Sequence, residues 1–118
     1  MRRVRDFHGH YQPRIPISFS SFPSSSSLSS ATIAKDRCRR VFDHVPTVVV
    51  NNAEWTYSNK PSLDVTDAEF DRVVDINLKS VFLATQAVLP ALIEAQTGGS
   101  SVNVSSTGAI RPRPGLVW

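Results

Sequence analysis

The sequence predicts an α/β fold: a strand–helix–strand unit behind an irregular N-terminal head. Three observations carry this. A β-branched run, Thr47-Val48-Val49-Val50, lies between Pro46 and Asn51-Asn52. Apolar residues recur at helical spacing through residues 67–94, and a second short run, Ser101-Val102-Asn103-Val104-Ser105, follows Gly98-Gly99. In Thr47–Val50, continuous apolarity without alternation predicts a strand covered on both faces, as in a parallel sheet, and Val102 and Val104 are expected to be buried in a second such strand. A helix joining two such strands gives the crossover that parallel pairing requires.

Residues 1–36 read as a disordered Arg/Ser/Pro-rich head, and residues 37–118 as the folded part. Nine of the thirteen residues from Ser18 to Ser30 are serine, and Pro13, Pro16 and Pro23 interrupt any helix. Such a stretch buries too little apolar surface to offset its ordering entropy. The charge is divided in the same place. Residues 1–40 hold eight basic and two acidic residues, whereas residues 41–118 hold five basic and eight acidic ones. The net +3 of the chain therefore comes from the head. A basic tail without a docking motif predicts no nucleic-acid partner.

Cys38 is the sole cysteine, so an internal disulfide and a cysteine metal cluster are both excluded. This fits a cytoplasmic protein. The alternative is mitochondrial, with the Arg- and Ser-rich, acid-poor head as a transit peptide. His8 and His10 lie in the head and His44 before the first strand, and no metal site is predicted from them. No uninterrupted apolar run approaches the roughly 18 residues of a membrane span, and no membrane partner is expected.

Residues 35–43, with Val41 and Phe42 behind a charged run, predict the last turns of a helix. The first strand follows at 47–51. Residues 54–65 predict a loop, with Ser58, Asn59, Lys60 and Pro61 as turn residues. Thr66-Asp67-Ala68-Glu69 predicts a capping box: the Thr66 hydroxyl accepts from the Glu69 N–H, and the Glu69 carboxylate accepts from the Thr66 N–H. Phe70, Val73, Val74, Leu78, Val81, Leu83, Ala84, Val88, Leu89 and Leu92 then cover more than one helix face, which calls for partners on two sides. Pro90 removes a backbone donor and predicts a bend near the helix end. Gly98-Gly99 closes the segment before the second strand, a buried one ending in Ser105-Ser106.

The motifs Asn51-Asn52-Ala53-Glu54, Asn77-Leu78-Lys79 and Val102-Asn103-Val104-Ser105-Ser106 occur in the order and at the distances of the middle of a short-chain dehydrogenase/reductase, which residues 37–118 closely resemble. The resemblance implies a partial Rossmann-like fold and NAD(P)-dependent oxidation and reduction of carbonyl and alcohol substrates. It implies that Asn51 holds the central sheet and that Asn51, Asn52 and Ala53 lie by the cofactor, NAD or NADP. By the same resemblance Asn77 supports a water chain to a catalytic lysine, and Ser106 hydrogen-bonds the substrate oxygen. Ser105 is the neighbouring alternative to Ser106.

The pattern is departed from in three places. Glu54 stands where the family has glycine, which predicts a strained backbone and a carboxylate close to an anionic cofactor. The family tyrosine lies thirteen residues after its serine, which counted from Ser106 is position 119, one past Trp118; the lysine lies further on. A glycine-rich phosphate turn is absent before Asn51, since the five glycines are Gly9, Gly98, Gly99, Gly108 and Gly115. The expectation is a truncated oxidoreductase, inactive as given, with doubtful cofactor binding. The alternative is a small interaction protein. In that reading helix 67–94 binds a full-length family member or a second copy of the chain, the helix being a common subunit interface in the family.

Overall fold

The computed structural model describes residues 16–19 and 28–117, and all structural statements below refer to these. The head residues 1–15 and 20–27, with His8, His10 and Tyr11, lie outside them, as does Trp118. Three parallel strands form one sheet in the order β1-β2-β3: β1 is Pro16–Phe19, β2 is Val48–Asn51 and β3 is Ser100–Asn103. Val49 is in register with Ile17 on one side and Ser101 on the other. Pro16 opens an edge strand, where a missing N–H costs least.

The strand β1 and the start of α1 (Leu28–Phe42) correct the expected head, because the boundary at 36/37 falls inside α1. The reason is a stripe of small residues. Ala31, Ala34 and Cys38 recur at i, i+3 and i+7, which places them on one helix face. Ala31 is fully buried and Ala34 packs on the core. Arg39 and Arg40 in the last turn suit the helix dipole.

The core sits on one face of the sheet. Val49 packs with Ala31 of α1 and with Ala84, Ala87 and Val88 of α3 (Ser80–Glu94). Alanines let the two helices approach the strand and each other closely. The expectation of strands covered on both faces is corrected here. In β2 only Val49 and Asn51 are buried, with Val48 and Val50 half-buried, and every residue of β3 is exposed. β3 stands opposite β1 in the order, with Val102 48% exposed.

The long helix is also corrected. It is built as α2 (Asp67–Val74), a π-helical turn at Asp75–Lys79, and α3. Ser80 N–H donates to Asp75 O, five residues back, which is the mark of a π turn. α3 runs through Pro90 to Glu94, so the break falls at the π turn and not at the proline. Taken together, Asp67–Glu94 is long and apolar enough to cross a membrane by length and composition, contrary to expectation. Here it is a packed helix, with Ala84 and Val88 buried against the sheet. It stops three residues short of the glycines, in a Schellman arrangement. Thr97 N–H donates to Leu92 O and Gln96 N–H to Ile93 O, with Gln96 at φ 50. Gly99 then passes close to the helix: a Cβ there would stand 2.7 Å from Leu92 Cδ1.

The capping box forms as predicted. Glu69 N–H donates to Thr66 Oγ1 at 3.3 Å, and Thr66 N–H donates to the Glu69 carboxylate at 3.0 Å. The carboxylate also receives Lys60 Nζ at 2.7 and 2.8 Å. Lys60 first, and then the Thr66 N–H and hydroxyl, lower the Glu69 pKa to about 2. Thr66→Ala should lower stability by about 1 kcal/mol, read as a shift in urea midpoint. Because the folded-state pKa is depressed, the Glu69 contribution is complete above about pH 4.5 and is lost as pH falls toward 2. Glu69→Gln should remove this component of the acid sensitivity, measured by urea titrations between pH 5 and 2.

Candidate functional site

The C-terminal ends of β2 and β3 define one end of the sheet. Asn51 is buried, and its amide donates to Asn103 Oδ1 at 2.8 Å and to Ser101 Oγ at 3.3 Å. These three side chains alternate onto the Val49 face of neighbouring strands. They tie β2 to β3 beyond the ladder, where Val104 N–H also donates to Asn51 O at 2.9 Å. Asn51 Oδ1 is buried without a hydrogen-bond partner. The strand then emerges, with Asn52 exposed and Ala53 half-buried.

Asn77 reaches this emerging chain from the π turn. Its Oδ1 accepts from Trp55 N–H at 3.0 Å, and its Nδ2 donates to Trp55 O at 2.7 Å. One amide thus satisfies both backbone groups of one residue, leaving its own NH₂ a second donor. The widened turn explains the reach. It keeps Ile76 and Ser80 buried while Asn77 faces the loop. The Arg72 guanidinium lies 4.5 Å from the centre of the Trp55 ring and secures the same residue through its side chain.

Ser106 is the N-cap of α4 (Thr107–Ile110), and its Oγ accepts from Gly108 N–H at 3.2 Å. A capping hydroxyl that accepts in this way keeps its own proton for an outside acceptor. Ser106 is exposed, and no hydrogen bond joins it to Asn77 among the described residues. After α4 comes a tight turn, Arg113-Pro114-Gly115-Leu116. It is closed by Leu116 N–H to Arg113 O at 3.0 Å, with Gly115 at φ 77. The loop after β2 grips this turn. Asn59 Nδ2 donates to Pro114 O at 2.8 Å, Lys60 N–H to Gly115 O at 3.1 Å, and Val117 N–H to Tyr57 Oη at 3.0 Å.

A family model described as short chain dehydrogenase matches residues 26–118. The chain belongs to the short-chain dehydrogenase family. It is 54% identical over 71 residues to 4-formylbenzenesulfonate dehydrogenase of Comamonas testosteroni, covering 60% of this chain and 28% of that one. Sulfoacetaldehyde reductase 2 of Chromohalobacter salexigens is 39% identical over 80 residues, 68% of this chain and 31% of that one. Among solved structures, 3-ketoacyl-(acyl-carrier-protein) reductase from Brucella melitensis, complexed with NADH, superposes with a TM-score of 0.68. Its sequence identity is 32%, over 76% of this chain and 38% of that one. The chain thus spans less than a third of the length of these two curated relatives.

Short-chain dehydrogenases are NAD(P)-dependent oxidoreductases, and the end of β2 suits the flat end of such a cofactor. Asn52 is exposed and Ala53 small, so backbone and ligand can come close. Glu54 does not bring the expected backbone strain. Among the described residues the non-glycine residues at positive φ are Asp43 and Gln96, so Glu54 holds an ordinary conformation. Its carboxylate is exposed beside Ala53 and disfavours a neighbouring anion. Residues 20–27 lie outside the described residues; their sequence, SSFPSSSS, lacks the glycine on which a tight phosphate-binding turn depends.

The sequence did not single out Tyr57, Asn59, Lys60, Trp55 and Arg72 as parts of this region. The signal for the docked turn was available, since Pro-Gly at 114–115 is type II turn chemistry. The partner loop carried none, because its contacts join residues 55 or more apart in sequence. Replacing Asn77 by Leu should release Trp55. Hydrogen–deuterium exchange at the Trp55 amide should then lose roughly fivefold in protection, the equivalent of one net hydrogen bond of about 1 kcal/mol.

Proposed function

We propose that this chain carries the serine and sheet-end elements of an NAD(P)-dependent oxidoreductase acting on an aldehyde carbonyl or the corresponding alcohol. The observation that supports this best is Ser106. Its hydroxyl is positioned by Gly108, exposed at the end of the sheet, and retains a proton to donate. Donation to a carbonyl oxygen stabilises the charge that grows there as the carbon is reduced. Asn77 holds Trp55, and through it the backbone following Asn52 and Ala53, where the nicotinamide end of the cofactor would rest. The nicotinamide supplies the hydride when bound. Both curated relatives described above are named for an aldehyde that bears a sulfonate, which supports an aldehyde as the carbonyl substrate. Exposed Leu78, Phe82, Leu89 and Ile93 are the surface through which a second copy, or a full-length family member, would pair.

A chimera tests the reading. Residues 47–117 replace the matched segment of the Brucella reductase, and NADH consumption is followed with an aldehyde substrate. Turnover should persist and fall about 10²–10³-fold on Ser106→Ala, the usual loss for one oxyanion donor. A folded chimera whose rate ignores Ser106→Ala overturns the proposal. The 118-residue chain by itself should give no saturable heat with millimolar NADH, because the sequence of residues 20–27 contains no glycine. One-to-one binding in calorimetry would contradict that expectation.

A further inference from the structure

The end of the sheet opposite to Ser106 holds a cavity of about 400 Å³. Thr47, just before β2, and Thr97, shortly before β3, line it from the strand side. Arg39, Asp43 and His44 line it from the end of α1, and Glu94 from the end of α3. Each of these helices delivers the chain to the start of the next parallel strand, so both C-terminal ends lie here.

Two carboxylates stand where helix electrostatics disfavours them. The C-terminal end of a helix carries about half a negative charge, which favours lysine, arginine or histidine in the last turn. Glu94 is instead the last residue of α3, and that turn holds no basic residue. Asp43 directly follows α1 at φ 56, a left-handed conformation uncommon for a residue with a Cβ. Both are exposed, and among the described residues neither takes part in a salt bridge. Arg39 stands one helical turn before Asp43 and is not bridged to it. The two carboxylates and two helix ends outweigh the Arg39 guanidinium and the His44 ring, so the cavity attracts cations. Residues that break a local rule at a cost to stability mark functional places in a fold.

Thr97 adds an orphaned acceptor. Its Oγ1 is buried without a hydrogen-bond partner, a standing cost to the folded chain. Among the described residues no three ligating side chains gather to hold a metal ion. The cavity is also far larger than a single ion.

We propose that this cavity binds a small organic cation with N–H donors, a primary alkylammonium. The ammonium lies between Asp43 and Glu94 and donates to both carboxylates. A change of Thr97 rotamer offers its oxygen to the third N–H. Arg39 is the built-in competitor, a guanidinium that can turn onto Asp43 and must leave it when the ligand enters. The site lies at the far end of the strands from Ser106 and does not depend on the role of that serine.

The test titrates the isotope-labelled 118-residue chain with butylammonium, tetramethylammonium and acetate, and follows the amide resonances of Asp43, Ala95 and Thr97. Butylammonium should move them saturably, at concentrations about tenfold below those tetramethylammonium needs, because the latter has the charge without a donor. Glu94→Gln should weaken butylammonium about tenfold. It should also raise the urea midpoint of the free chain, since a carboxylate leaves a helix C-terminus. Thr97→Val removes the orphaned hydroxyl at nearly equal volume, and should weaken butylammonium without lowering the midpoint. Arg39→Gln should tighten butylammonium about threefold by removing a competing charge. The Val49 amide should stay in place in each variant, marking an intact core. Any of four results overturns the proposal: tetramethylammonium binding as well as butylammonium, acetate moving these amides while butylammonium does not, weaker butylammonium binding in Arg39→Gln, or unchanged binding in both Glu94→Gln and Thr97→Val.

Discussion

The structure depends on β2 and on what Val49 touches. β2 is hydrogen-bonded in parallel on both edges, so its direction is fixed by two neighbours at once. Its one fully inward valine meets alanines from two helices. Ala84 is 1% exposed and Ala31 0%, so neither helix has room for a longer side chain at the contact. With α1 and α3 seated this closely, the end of β2 and the π turn that precedes α3 come to fixed positions relative to one another. That is what allows an amide on the helix to meet the backbone of Trp55 at hydrogen-bond distance on both of its groups.

From that point the site is assembled by relays between loops. Glu69 holds Lys60 by its ammonium while serving as the N3 residue of the capping box. The Lys60 backbone N–H in turn holds Gly115. The start of α2 is therefore coupled to the loop that follows Ser106, through one lysine whose two ends do different work. Tyr57 closes the same contact from the other side, at 4% exposure, with its hydroxyl on Val117 N–H. Its position within the packed loop makes it an anchor for the chain beyond α4.

Some of this was legible in the residues, and the reasons are local. Thr66 and Glu69 stand three apart in front of an apolar run, and a capping box needs nothing more. The valines of β2 and the motifs at Asn51, Asn77 and Ser106 gave the parallel strands and the family together. Legibility failed where small or polar residues do the packing. Ala31, Ala34 and Cys38 form a helix face, but the serines before them dominate the composition, and the start of α1 was hidden as head. Val102 and Val104 predict burial for β3, yet they are 48% and 55% exposed, because no element of the described residues packs on that strand's faces. The π turn has no sequence signature at all. It becomes visible only when Asn77 is seen to need the loop and Ile76 the core.

The polarity of the site follows from the same arrangement. Glu54 lies exposed just beyond Ala53, at the end of β2, while Arg111 and Arg113 lie on the loop that follows β3. Parallel pairing puts the ends of β2 and β3 side by side, with Asn51 in register with Asn103. Charged groups of opposite sign thus lie on the chains that leave the two strands, while the strand ends themselves are joined by the Asn51 amide on Asn103 and Ser101. The ordered polar part of this end is that tie together with the Ser106 hydroxyl, which accepts from Gly108 N–H and keeps its own proton.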